Sequence, residues 1–298
     1  MATRDLSVGL IFLIQTVVGT LGNLSLLYHY LHLSFTGCRA RSIDLILRHL
    51  TVANALVILS KEVSHMMADF GVRQCSDDFR CDLLFYVQRV ARGVSIESTC
   101  LLSIFQAVMI SPQNSRWAAL KGTAPKYIGP STALCWILNM LINTIYLLYE
   151  TGQWISINTW KTSYGFCCVV IYDNIRASLF AVWLSFTDVC SLGLVLWASG
   201  YMVFILHRHK QRVRYIHATN VSPRSSAGSR ATRSILVLVS TFVFCNTASS
   251  ICQVCVAFFN NPSQSLVTMS ALLAVCFPTL SPFVLMNCDP SVSRPSFA

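Results

Sequence analysis

Seven stretches of predominantly apolar residues follow one another along the chain, near residues 6–31, 43–67, 81–110, 127–149, 177–207, 234–258 and 266–286, with short polar gaps between them. A helix crosses the hydrocarbon core of a bilayer with about 20 such residues, so each stretch is long enough to span. Lipid offers backbone N–H and C=O groups no partner, which forces the hydrogen bonding to close within each segment and makes helices the expected element. The pattern predicts an all-α protein, a seven-transmembrane helix bundle forming a single domain over residues 1–298, with a short tail at 287–298.

Composition narrows the class. Apolar residues make up 54% of the chain and charged residues 11%, against roughly a quarter charged in ordinary soluble domains. A water-soluble helical fold fits that balance poorly.

Charge sets the orientation. Lys and Arg near span ends stay cytoplasmic, whereas acidic residues contribute little. One set of alternate connections holds Arg39, Arg41, Arg116, Lys121, Lys126, Arg208, Lys210, Arg212, Arg214, Arg224, Arg230 and Arg233, with Arg294 in the tail. The other set holds Arg4, Arg73, Arg80, Lys161 and Arg176. This imbalance places the N-terminus outside and the C-terminus inside, with the first span as an uncleaved anchor. The formal net charge of +10 is then mostly a cytoplasmic feature, and no nucleic acid is needed to explain it.

Most of the 13 cysteines, such as Cys100, Cys135, Cys245 and Cys276, fall inside spans and read as small buried hydrophobes. Cys75, Cys81, Cys167 and Cys168 fall instead on the expected outer side, where disulfides persist. A bridge from Cys81, opening span three, to Cys167, or less favourably to Cys168, would tie the loop after span four over the mouth of the bundle. A metal site is the weaker reading, because paired CxxC spacing and a completing histidine are both lacking.

Local sequence points to one group of receptors. The stretches Asp44–Asn54 (DLILRHLTVAN), Arg89–Ile96 (RVARGVSI), Thr99–Ala107 (TCLLSIFQA), Ala124–Ser131 (APKYIGPS), Leu196–Val213 (LWASGYMVFILHRHKQRV), Ser222–Ser226 (SPRSS), Ser229–Val243 (SRATRSILVLVSTFV) and Cys276–Met286 (CFPTLSPFVLM) run in order over nearly the whole chain. In them the chain resembles vomeronasal type 1 receptors, a family of G protein-coupled receptors. The resemblance implies a chemosensory receptor of the plasma membrane that binds a small-molecule pheromone or odorant. It also implies signalling through a heterotrimeric G protein of the inhibitory class, with no cofactor and no catalysis.

Arg89 lies about 12 Å below Cys81 at helical rise, and the ligand is expected between the outer halves of spans three, five, six and seven, with Tyr86, Arg89 and Val90 on one wall. Arg89 and Arg92 are costly in lipid and must face the bundle interior or water, as ligand contacts or as ties between helices. Glu97, Asp188, Lys61 and Glu62 are the ionisable residues that could meet them. G protein contact is expected at Arg116 and Lys121, at Arg208, Lys210, Arg212 and Arg214, and at Arg230 and Arg233. The basic run that ends span five has a plainer reading beside this one, attraction to anionic membrane lipids.

The chain departs from the pattern of the family it resembles in two places. Glu97 stands where a small residue such as glycine is usual, and Asn158-Thr159-Trp160 fails the Asn-x-Ser/Thr glycosylation pattern expected in the loop after span four. It also lacks the acidic-Arg-Tyr triplet of the larger rhodopsin-like group, for span three ends in Met109, Ile110 and Ser111. The alternative receptor reading is a bitter-taste-like chemoreceptor, against which the His207–Val213 run speaks. A multi-pass transporter would show duplicated halves, which the sequence does not display.

Overall fold

The computed structural model of the chain describes residues 2–36, 42–69, 79–111, 118–151, 160–164, 167–171, 186, 189–205, 207–208, 227–258 and 263–288. Helices occupy the expected spans: α1 (Ala2–Phe35), α2 (Ser42–Asp69), α3 (Phe79–Ile110) and α4 (Ala118–Thr151), then α5 (Val189–Ile205), α6 (Ala227–Phe258) and α7 (Gln264–Cys288). Of these, α1, α2, α3, α6 and α7 are long and apolar enough to cross a membrane. The expected fifth span begins at 177; within its first twelve positions the structure describes Phe186.

One short extended element accompanies the helical bundle. Between α4 and α5 the strands β1 (Trp160–Tyr164) and β2 (Cys167–Ile171) pair antiparallel, from Trp160 opposite Ile171 to Tyr164 opposite Cys167. Aromatic and β-branched residues concentrate in both runs, which suits an extended, pleated backbone.

Neighbouring helices alternate in direction. Tyr86, Arg89 and Glu97 of α3 meet Thr144, Asn143 and Cys135 of α4 in descending order. The first and seventh helices run parallel, Gly19 lying against Thr279 and Gly22 against Pro282. Around this frame α2 packs on α1, α3, α4 and α7, and α6 packs on α7 and α3. Ala107 of α3 and Ala198 and Met202 of α5 form a small shared core.

Small residues set the closest approaches. A Cβ added at Gly19 would stand 2.7 Å from Ile58 Cδ1 and 2.8 Å from Thr279 Oγ1. With no hydrophobic drive between helices in lipid, such close packing and interhelical hydrogen bonds are what hold a bundle together.

Helix α7 shows how the sequence dictates one such bond. Pro282 has no N–H, so the Pro278 carbonyl one turn earlier loses its helical partner. Asn23 of α1 supplies the replacement, its Nδ2 donating to that carbonyl at 2.9 Å and to Gly19 O at 2.8 Å. Beside it the fully buried Asn54 of α2 donates to Ser281 Oγ of α7 at 2.8 Å and accepts from Ser95 Oγ of α3 at 2.6 Å. Four helices are thus tied at one level.

Below that level, toward the end of the bundle that holds Phe35, the core turns apolar. Leu26, Ile46, Leu50, Phe242 and Leu285 belong to its largest cluster, which reaches up to Phe277, one turn before Ser281, where Phe242 and Phe277 lie edge to face at 5.0 Å.

Candidate functional site

On the other side of the Asn54 level, toward the end that holds Asp69, polar and charged side chains of α3 face three neighbours. Helical periodicity distributes them. Tyr86 and Val90 are one turn apart and share a face, whereas Arg92 lies about half a turn round from Val90.

Tyr86 turns to α4, where its hydroxyl lies 3.2 Å from Met140 O and 3.1 Å from Thr144 Oγ1. Val90 is 5% exposed and packs with Ala53, Val94, Tyr86 and Trp136, inside the contact of α2, α3 and α4. These two residues, expected on a wall facing α5 to α7, turn instead to α2 and α4. The reason is register: an apolar stripe along α3 that includes Val90 and Val94 is already committed to α2 and α4.

Arg89 donates through Nε to Asn143 Oδ1 at 3.1 Å, and its guanidinium lies 5.3 Å from the centre of the Phe85 ring. Asn143 is held for this role, since its Nδ2 donates to Asn139 O at 2.7 Å and leaves the oxygen for the arginine. Arg92 reaches the other way, to α6. Its two terminal nitrogens donate to Ser249 Oγ at 2.9 Å and Ser250 Oγ at 3.1 Å, and Gln253 Nε2 donates to Ser249 Oγ at 3.3 Å. Lys61 of α2 stands close enough to Arg92 for the two cations to repel. Arg92 thus joins α3 to α6, a pairing invisible in sequence because serines inside an apolar span announce no partner.

The acidic residues are placed separately. Glu62 accepts from Thr16 Oγ1 of α1 at 2.7 Å. Glu97 turns to Cys135 and Asn139 of α4. One turn above it, a side chain at Gly93 would collide with Asn139, so the small residue there is what lets α4 come near enough for Glu97 to be accommodated. Asp188 lies outside the described residues.

Cys81 falls in the first turn of α3, and Cys167 and Cys168 open β2; the side chains of all three lie outside the described residues. Of the expected G protein contacts, Lys121 lies in the first turn of α4 and Arg208 is exposed beyond α5. Arg230 and Arg233 lie in the first two turns of α6, with side chains outside the described residues, as are Arg116, Lys210, Arg212 and Arg214 altogether.

The sequence that builds this bundle matches known proteins. The model of the vomeronasal organ pheromone receptor family matches residues 6–298. The chain belongs to the vomeronasal type 1 receptor family. It is 55% identical to vomeronasal type-1 receptor 4 of Homo sapiens over 299 residues, covering 100% of this chain and 99% of that one. It is 53% identical to the human vomeronasal type-1 receptor 2, over 95% of this chain and 72% of that one. Similarity extends to olfactory receptor class A-like protein 1 of Danio rerio, at 29% identity over 94% of this chain and 88% of that one. As a vomeronasal type 1 receptor the chain is a multi-pass plasma-membrane protein in a family of chemosensory receptors, not of enzymes.

Proposed function

We propose that this vomeronasal type 1 receptor is a single receptor domain, N-terminus outside and C-terminus inside, which binds a small pheromone or odorant and activates an inhibitory-class G protein. The basic residues carry the orientation: the connections bearing Arg39, Arg41, Arg116, Lys121 and Arg208 share the Phe35 end, which is then cytoplasmic. The ligand sits in the outer half, where α3 faces α5, α6 and α7, with Arg89 and Arg92 as its polar contacts and Tyr86 and Val90 bracing them.

The single observation behind this reading is the bond from Arg92 to Ser249 and Ser250. A ligand bearing a carbonyl, carboxylate or similar acceptor could compete with these hydroxyls for the guanidinium and so alter the grip of α3 on α6. A mostly apolar cleft with a few convergent polar groups suits a small volatile or steroid-like molecule. In the same outer half, a Cys81 bridge to Cys167 would hold the β1–β2 hairpin over the mouth; mass spectrometry of the unreduced, digested receptor reads that peptide directly.

The test is a ligand screen on cells expressing the receptor with a promiscuous G protein, read by calcium. Arg92→Gln, at unchanged surface level, is expected to raise the half-maximal concentration of acceptor-bearing agonists about tenfold, and unchanged dose curves would remove the site. On the inner face, replacing Arg208, Lys210, Arg212 and Arg214 together by Gln should lower agonist-driven nucleotide exchange on the inhibitory-class protein. Parent-rate exchange by that variant would leave the run as a membrane anchor alone.

A further inference from the structure

At the Phe35 end a cleft of about 250 Å³ opens between α1, α2 and α4. Tyr30 and Ser34 line it from α1, Ser42, Asp44 and Arg48 from α2, and Pro125 from α4. It lies on the flank of the bundle formed by α1, α2 and α4, whereas the residues assigned above to a G protein cluster at the starts of α4 and α6 and the end of α5.

Its polar lining holds both signs of charge. Asp44 is 6% exposed and Arg48 half-buried, and Arg48 makes no side-chain hydrogen bond or ion pair among the described residues. Four residues apart on one helix, the two point from one face with Cβ atoms about 5–6 Å apart. Ser34 and Ser42 add hydroxyls that can donate, and α2 begins at Ser42, so the positive end of its dipole also faces this region. Exposed Lys126 adjoins Pro125 along α4.

We infer that this cleft binds the headgroup of an aminophospholipid. The phosphate is held by Arg48 with the Ser34 and Ser42 hydroxyls, and the primary ammonium by Asp44, which also keeps a partner of its own. The two carbons that separate phosphate from amine in an ethanolamine or serine headgroup suit the short spacing of the two side chains. A purely anionic headgroup would meet the Asp44 carboxylate unfavourably, and a choline headgroup has no N–H to give it. The assignment to the cytoplasmic leaflet rests on the orientation proposed above; the headgroup selectivity does not.

The test uses the full-length receptor, delipidated in detergent and offered phosphatidylethanolamine, phosphatidylserine, phosphatidylglycerol or phosphatidylcholine of identical chains, with retained lipid counted by native mass spectrometry. The two amino lipids are expected to be retained about tenfold better than the other two. Arg48→Gln should lose retention of all four, and Asp44→Asn should bring the amino lipids down to the phosphatidylglycerol level, each with a thermal midpoint near that of the parent. Should Asp44→Asn not fold, the parent's preference for the two amino lipids still tests the ammonium contact, and Ser34→Ala tests the phosphate contact through a two- to threefold loss for all four lipids.

Equal retention of all four lipids, or phosphatidylglycerol matching phosphatidylserine, overturns the assignment. Water-soluble phosphoethanolamine at millimolar concentration should leave the lipid in place; if it displaces the lipid completely, the site reads a free metabolite and the lipid assignment fails. Because the lipid reaches every face of the receptor in a micelle, these outcomes do not depend on which end is cytoplasmic. Accessibility of an N-terminal tag on intact cells tests that orientation separately.

Discussion

The two halves of α3 handle polarity in opposite ways. From Thr99 down to Ser103, hydroxyls bond back into their own helix, Thr99 to Ser95 O and Ser103 to Thr99 O, both at 2.9 Å. From Tyr86 to Arg92, side chains reach outward to other helices, toward Thr144, Asn143, Ser249 and Ser250. A group satisfied by its own backbone leaves its surface to apolar packing, and that half is closed by the cluster built on Phe242 and Phe277. A group satisfied across an interface makes the interface depend on it. In a bilayer such bonds average only about 0.6 kcal/mol, so the outer half can exchange one partner for another at small cost. The contrast teaches where the receptor is rigid and where it can respond.

The strongest way to break the contrast is at the packing that both halves share. Gly19→Val places its Cβ within 3 Å of Ile58 and Thr279, with the Thr279 Cα at 3.2 Å, so α1 and α7 must separate. Overpacking costs about 1–3 kcal/mol, occasionally more, and the expected result is less receptor at the surface and a thermal midpoint lowered by several degrees. Gly193→Val in α5 has open space around it and should leave both unchanged. If the two substitutions behave alike, close approach is not what joins α1 to α7.

Next in size is the level where the halves meet. Asn54→Ala leaves the Ser95 and Ser281 hydroxyls without their shared amide in a fully buried position. An unsatisfied buried group costs about 1–3 kcal/mol, and the remaining hydroxyls can relax onto backbone carbonyls, as Ser281 already approaches Pro278 O at 3.4 Å. A destabilisation of about 2 kcal/mol is expected, read as a lower thermal midpoint of purified receptor. Asn54→Ala combined with Ser95→Ala should lose less than the sum of the two single changes, and strict additivity would show that the residues do not form one network.

Much of this was legible in the chain alone. Seven helices follow from seven apolar runs, and the proline pair four residues apart in α7 is visible as Pro278 and Pro282. What the runs do not reveal is partnership. Asn23 reads as an awkward polar residue in span one until the orphaned Pro278 carbonyl is found beside it. Ser249 and Ser250 carry no charge or motif that names Arg92. The wall assigned to Tyr86, Arg89 and Val90 rests on depth along α3, and depth leaves the helix rotation undetermined; packing of Val90 with Ala53 and Trp136 fixes it. The hairpin between α4 and α5 is hidden in the sequence because each strand is five residues long and neither alternates strictly in polarity.

The smallest expected effect sharpens the comparison most finely, because it separates two functions of one outer-half side chain. Arg89 offers a directional Nε donor to Asn143 and a cation beside the Phe85 ring. Lysine preserves the second and not the first: its ammonium can still lie near the ring, worth about 0.5–1 kcal/mol at an accessible site, but it lacks the planar donor that meets Asn143 Oδ1. Alanine removes both. Arg89→Lys should therefore shift the thermal midpoint by a degree or so, an effect on the order of 0.5 kcal/mol, and Arg89→Ala by about twice that. If the arginine also meets the ligand, Arg89→Ala should raise half-maximal concentrations for acceptor-bearing agonists while Arg89→Lys keeps most of the response. A lysine variant as impaired as alanine in agonist response, but intact in stability, would mean that the ligand reads the guanidinium fork rather than the charge. Equal, unchanged responses for both would make Arg89 a tie between α3 and α4 and leave recognition to Arg92.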